Sequence, residues 1–304
     1  TAELHVDVQS ILLAGYTVAD FSPGGRITEA NFFWTTNFGD EGDNRIKGTH
    51  VAQTMLGLGG YDTIRSFAGN DTIDAGPGHD LVEAGSGDDS VDGLGGKDTI
   101  YGASGSDTIN GGRGNDMINA GSGDDLVDGG KGGDTIRGGE GLDTIYGKAG
   151  HDLIHVMPEG DLDARDAYQV YGGSGNDTIH SGGYRTTIEA GAGDDHIYSS
   201  DLYSSRFYGG QGDDFITFTS SYHDVQGESG DDTLEGSSGT DDLDGGHGKD
   251  ELYGGAGNDR IRGRKGDDRL FGGAGDDELS GGKAADTLFG GSGDDTLRGM
   301  YSAN

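Results

Sequence analysis

The sequence predicts an all-β protein: an elongated parallel β-roll of many short stacked coils, preceded by an N-terminal cap. Three observations predict it. An aspartate recurs every nine residues over most of the chain. An Ile, Val or Leu stands two residues after each of these aspartates, as at Ile64, Ile73, Val82 and Val91. Glycine supplies 65 of the 304 residues and fills the turns between them, against a usual share of about 7%.

Each unit has a direct physical reading. A four-residue segment of aspartate, variable residue, aliphatic, variable residue is a strand too short to stand alone, with one apolar side chain facing inward. The glycine-rich hexad before it is a turn whose backbone enters conformations that a Cβ forbids. Two units make one coil of eighteen residues, with a strand on each face, and stacked coils bury a column of aliphatic side chains. Successive units alternate sides, so every second aspartate shares an edge.

Taken in order, residues 1–41 lack the period. They carry Phe32, Phe33, Trp34 and Phe38, and an aromatic cap over the apolar end of the stack is expected there. The roll is expected over 42–304. Its first regular run has aspartates at Asp62, Asp71, Asp80, Asp89, Asp98, Asp107, Asp116, Asp125, Asp134, Asp143 and Asp152. The last regular run has Asp232, Asp241, Asp250, Asp259, Asp268, Asp277, Asp286 and Asp295. Between them, over 153–231, only Asp177, Asp195 and Asp214 remain. The surviving aliphatic positions identify what stands in for the missing aspartates. Val170 implies Tyr168, Ile188 implies Thr186, Phe207 implies Ser205 and Val225 implies His223. The register then needs seven extra residues before Tyr168 and one before Ser205. All four substituted units fall on one edge of the roll.

Composition excludes several classes. Asp and Glu number 55 against 20 Lys and Arg, a formal charge of −35. Nucleic acid is excluded as a partner, since phosphate binding needs a basic face. No apolar run approaches the roughly 20 residues of a membrane span. The absence of cysteine excludes a disulfide framework. Neither a G-x-S-x-G elbow nor an H-E-x-x-H zinc motif is present.

Aspartates stacked at the strand spacing of roughly 4.8 Å repel one another and require a cation. Carboxylates and turn carbonyls are hard oxygen ligands that suit Ca2+. The continuous edge has thirteen aspartates and the interrupted edge runs of five and four. One ion between each neighbouring pair gives on the order of nineteen Ca2+, about enough to cancel the formal charge.

Units such as GGRGNDMIN (111–119) and AGSGDDLVD (120–128) resemble the RTX (repeats-in-toxin) nonapeptide, and the resemblance spans about residues 40–300. It implies a β-roll folded by multiple structural Ca2+ ions, with the aspartates above as ligands. It also implies a secreted bacterial protein exported by type I machinery. Such rolls occur in toxins, serralysin-type proteases, lipases, mannuronan C5-epimerases and adhesins.

Where calcium ligands are dropped, Tyr, His and Arg concentrate. Alternation along the strands places these side chains toward solvent or a groove. This predicts a site for an acidic polysaccharide. His180 or His223 would serve as base, Tyr184 or Tyr222 as acid, and Arg185 and Arg206 as carboxylate clamps. His155, Arg165, Tyr168, Tyr198, Tyr203 and Tyr208 would line the subsites. The cluster looks like that of a polysaccharide lyase, acting by β-elimination on uronic-acid-containing glycans, or of a C5-epimerase. The alternative is a non-catalytic, calcium-dependent scaffold, glycan-binding or adhesin module of a larger exported protein.

Overall fold

The computed structural model describes residues 36–156, 167–182, 185–201, 204–220 and 223–299. The expected cap lies outside these residues as far as 35. The remainder of that segment already belongs to the roll. Strand Thr36–Phe38 pairs in parallel with Thr54–Leu56, six residues before the expected boundary.

Among the described residues the chain is all strand and turn, with no helix. Strands alternate strictly between two parallel sheets, one of fifteen strands and one of fourteen. Each strand pairs with the strand two places along the chain. Ile118, for example, lies beside Ile100 and Ile136. This is a β-solenoid of about fourteen coils.

The core is one column per sheet. Ile64, Ile100, Ile136 and Ile179 from one sheet, and Ile73, Ile109, Val127 and Ile188 from the other, are buried in a single cluster. Each contributes about 1.5–3 kcal/mol on burial. The residues before and after each of these point away from the core. The glycines before each turn allow the coils to approach. Gly121 has φ 117° and Gly139 φ 110°, the left-handed region that glycine enters at no steric cost.

The irregular coils keep the register read from the sequence. Val170 pairs with Ile145 across the seven-residue insertion. Phe207 pairs with Ile188 across the single one, and Val225 with Phe207. Two strands lengthen there, Ala167–Ser174 and Arg185–Ala192. Ladder pairing now runs back through Tyr168 and Thr186, where an aspartate would otherwise end the preceding turn.

Two corrections follow from the direction of these side chains. Tyr168 and His223, expected to face a ligand, are 1% and 2% exposed. The position they inherit is itself an inward one, since the aspartates of the two rows are at most 3% exposed from Asp62 to Asp277. A large side chain placed there joins the core and cannot reach solvent.

Candidate metal rows and surface grooves

The aspartates form two rows, one on each edge. Within a row, each backbone N–H donates to Oδ1 of the aspartate one coil further on. Asp62 N–H donates to Asp80 at 2.7 Å, and the same bond recurs to Asp268 and Asp286 at 3.2 Å. Even the inserted coil keeps it, from Asp152 to Asp177 at 2.8 Å. One carboxylate oxygen thus fixes the stack. The other, Oδ2, is buried without a hydrogen bond at Asp62, Asp80, Asp134, Asp195, Asp232 and Asp268, among others. An orphaned buried carboxylate oxygen costs stability unless a cation meets it.

The space beside these atoms is shaped by missing side chains. A Cβ added at Gly147 would lie 2.5 Å from Asp152 Oδ2 and 2.6 Å from the Gly172 carbonyl oxygen. Gly254 stands in the same relation to Asp259 Oδ2, at 2.5 Å, and the Gly272 carbonyl, at 2.6 Å. A carboxylate oxygen and a backbone carbonyl thus share a recess that any residue but glycine would fill. These are hard, oxygen-only donors, the set that suits Ca2+. Among the described residues no three acidic or histidine side chains converge on one point.

Burial shifts these carboxyls strongly. Asp125 is pushed up to about 7, first by burial and then by Asp143 and Asp107, against the pull of the Asp107 N–H. Asp232 is pushed up to about 8, again by burial first, with Asp214 and Asp250 adding repulsion. Such groups hold protons near neutrality unless a cation takes their place.

Asp241 differs from its row. Its Oδ1 accepts from His223 N–H at 3.3 Å and its Oδ2 from Ser237 N–H at 3.1 Å. Asp295, at the last coil, is only part-buried and still accepts from Asp277 N–H at 3.1 Å.

Where the interrupted row lacks aspartate, other side chains take over its hydrogen bonds. Ser205 Oγ accepts from Thr186 N–H at 2.9 Å, and His223 Nδ1 accepts from Ser205 N–H at 3.1 Å. Ser205 Oγ donates to Asp201 at 2.6 Å. The His223 ring packs between Phe207 and Phe218, at 5.3 and 4.6 Å. Burial lowers its pKa, opposed by Asp201 and Ser220. Tyr168 instead donates its hydroxyl to the Gly139 carbonyl at 3.0 Å. These residues form a seam of hydrogen bonds and packed rings inside the edge. Asp201, fully buried, was not foreseen, because it lies in an inserted segment outside the repeat.

The remaining candidates separate onto two faces. His155, His180 and Tyr198 lie on successive strands of the fourteen-stranded sheet. Their rings stack face to face at 4.9 and 5.0 Å, which covers both faces of the middle ring, His180. Burial, with His180 and Arg137 adding repulsion, lowers the His155 pKa, and burial lowers that of His180. Arg185, Arg206 and Tyr208 lie on the fifteen-stranded sheet. The aliphatic core separates the two outer faces, with sheets about 10 Å apart. His180 therefore does not converge with Arg185 or Arg206. Arg206 and Tyr208 do come together, with Glu189 and Glu228, along a groove of about 480 Å³. His155 lines a different groove, of about 520 Å³, with Arg137 and Asn119. Arg165, Tyr184, Tyr203 and Tyr222 lie outside the described residues.

Comparison with known proteins agrees with the repeat geometry. The RTX calcium-binding nonapeptide repeat matches residues 52–154, 171–201, 203–218 and 224–297. A search of the curated proteins finds no match. Among solved structures, a hyperactive, Ca2+-dependent, β-helical antifreeze protein from an Antarctic bacterium is similar at 19% identity and a TM-score of 0.38. The similarity covers 91% of this chain and 82% of that one. No helix among the described residues is long and apolar enough to cross a membrane.

Proposed function

Because the chain belongs to the RTX calcium-binding nonapeptide repeat family, we propose that it is an extracellular scaffold module, folded by structural Ca2+, that displays ligand-binding side chains on its two sheet faces. One observation carries this reading. Buried, unpaired Oδ2 atoms recur coil after coil beside glycine recesses and backbone carbonyls. Calcium bound there would supply positive charge to two columns of carboxylates. The chain's own residues supply the rest: Oδ1 fixes each coil to the last, and the aliphatic columns exclude water between the sheets. Since the ligand set exists only in the folded coil, metal binding is folding energy. Exported by type I machinery, such a chain would fold on meeting extracellular calcium.

Scaffolding is favoured over glycan cleavage by the placement of the candidate groups. Lyase and epimerase chemistry alike need a base, an acid and a carboxylate clamp about one carbon atom. His223 is buried against Phe207 and Phe218. His180 and Arg206 occupy opposite faces.

The reading is tested by far-ultraviolet circular dichroism during calcium titration. Strand signal should appear with calcium and vanish with excess chelator. A fold indifferent to calcium contradicts it. Incubation with alginate, hyaluronan, chondroitin and heparosan addresses the catalytic alternative. Unsaturated uronates, or inverted uronate stereochemistry by NMR, would overturn the preference for a scaffold.

A further inference from the structure

We propose that a basic groove on the outer face of the fifteen-stranded sheet, over strands Asp242–His247, Arg260–Lys265 and Glu278–Lys283, binds a linear anionic polysaccharide. The proposal rests on the scaffold reading and gives it a ligand class and a place. That place lies C-terminal to the irregular coils where the sequence suggested one.

The first observation is a concentration of positive charge in a strongly acidic chain. Five of its 20 Lys and Arg residues stand on the last two of these strands: Arg260, Arg262, Arg264, Lys265 and Lys283. Lys265 pairs in register with His247 on one side and Lys283 on the other. The three side chains therefore form a column at the strand spacing of about 4.8 Å. Lys265 Nζ lies 2.6 Å from His247 Nε2. Neither Lys265 nor Lys283 has a carboxylate within ion-pair distance among the described residues. Arg262, by contrast, is held by Asp242 at 2.6 Å and Asp244 at 3.0 Å. Lys265 donates to the His247 ring, and the two lysines on neighbouring coils, with no carboxylate beside them, call for an external anion.

The second observation is backbone strain. Arg264 has φ 78°. The equivalent positions in the neighbouring coils are Gly246, φ 103°, and Gly282, φ 107°. Holding a non-glycine residue there costs about 1–2 kcal/mol. The neighbouring coils hold such an outlier in place, as they do Ala103, φ 81°, and Lys148, φ 79°, at the same repeat position; at Arg264 the side chain so placed is a cation. Arg264 Nε donates to Asp244 at 2.9 Å, which anchors the guanidinium in the groove wall. Glu228, φ 75°, is a second such residue on the same column.

The third observation is shape. A cavity of about 420 Å³ is lined by Asp244, Gly246, His247, Arg264, Lys265 and Lys283. Glu228 also lines the groove that holds Arg206 and Tyr208.

A linear polymer with one anion per monomer fits the two lysines that neighbouring coils place side by side. A single nucleic-acid strand needs aromatic platforms for its bases, and His247 is the sole ring lining this cavity among the described residues. A planar anionic membrane would also meet Glu228 and Glu278, which flank the basic column on the same face. A thin chain can thread between them.

The test uses the full chain, loaded with calcium, in affinity capillary electrophoresis. The probes are hyaluronan oligosaccharides, which carry carboxylates, and chondroitin sulfate, which adds sulfates. Neutral dextran, a single-stranded DNA oligomer and phosphatidylserine vesicles are the comparisons. Binding to at least one anionic glycan is expected, weakening as salt rises. The double variant Lys265→Gln/Lys283→Gln should bind at least ten-fold more weakly. Arg264→Gly restores the glycine of the repeat, and should weaken binding while keeping or raising the thermal midpoint. Absence of glycan binding by the calcium-loaded protein overturns the proposal. So does equal binding by either variant, or tighter binding to DNA or vesicles. Circular dichroism on the same samples reads calcium-dependent folding separately, so failure of the scaffold reading is distinguishable from failure of this one.

Discussion

Stripping calcium at pH 8 should unfold the roll, and acid should restore strand structure without any metal. The magnitude follows from the buried rows. Eight aspartates, Asp89, Asp98, Asp125, Asp134, Asp177, Asp195, Asp214 and Asp250, are pushed up to about 7, and Asp232 to about 8. Burial is the leading cause in each. The ordinary value, which the unfolded chain retains, is 3.8. Folded values above unfolded ones mean that the fold gains protons. The penalty is therefore absent below about pH 4, where both states are protonated, and grows as pH rises toward 7 or 8. Fully developed, it is about 4 kcal/mol for each carboxyl. Solvent at the edges screens it to about 2 kcal/mol. Nine such groups then cost roughly 20 kcal/mol, more than the 5–15 kcal/mol by which domains are stable. The assay is circular dichroism of protein freed of calcium on a chelating resin, titrated from pH 8 to pH 4. Strand signal should rise through that window. With saturating calcium the dependence should reverse, because the carboxyls must ionise to bind metal. Full strand signal at pH 8 without calcium, or no gain on acidification, would mean that ionised buried carboxyls are not what opposes the metal-free fold.

Other substitutions probe the rows, the seam and the core. Gly147→Ala places a Cβ between Asp152 Oδ2 and the Gly172 carbonyl. It should remove about one bound calcium and about 1–3 kcal/mol of stability, measured by calorimetry and urea melts. Gly95→Ala, whose Cβ would meet nothing nearer than 3.8 Å, should change stability by less than about 0.5 kcal/mol. His223→Ala removes the acceptor for Ser205 N–H and a ring packed on Phe207 and Phe218. It should cost about 3 kcal/mol in calcium-saturated urea melts and leave calcium stoichiometry unchanged. Ile136→Ala, in the fully buried column, should cost about 2–5 kcal/mol by the same assay.

The repeat made the fold legible to the level of single residues. Val170, Ile188, Phe207 and Val225 located the broken units, because a column of aliphatic side chains cannot slip without exposing itself. Both insertions fall where those residues require. The direction of the substituted side chains follows from the same period: alternation that turns Ile188 inward turns the aspartate position two residues earlier inward as well. Tyr168 and His223 therefore became core and hydrogen-bonding residues rather than surface ones. A nine-residue period also places neighbouring units on opposite sheets, which parts His180 from Arg206. Asp201 carried no periodic signal. Arg264 did carry one, since RGRKGDD (262–268) lacks the second glycine of the repeat, but a missing glycine reveals its meaning only with the φ of the residue in its place.

Calcium held by the two aspartate rows is proposed here as what holds the fold together. Counting bound calcium by native mass spectrometry, alongside circular dichroism of the same samples, tests it most directly. On the order of nineteen ions are expected in the folded protein, with strand signal lost as they are withdrawn at neutral pH. A folded protein holding only a handful of calcium ions, or none, would contradict it.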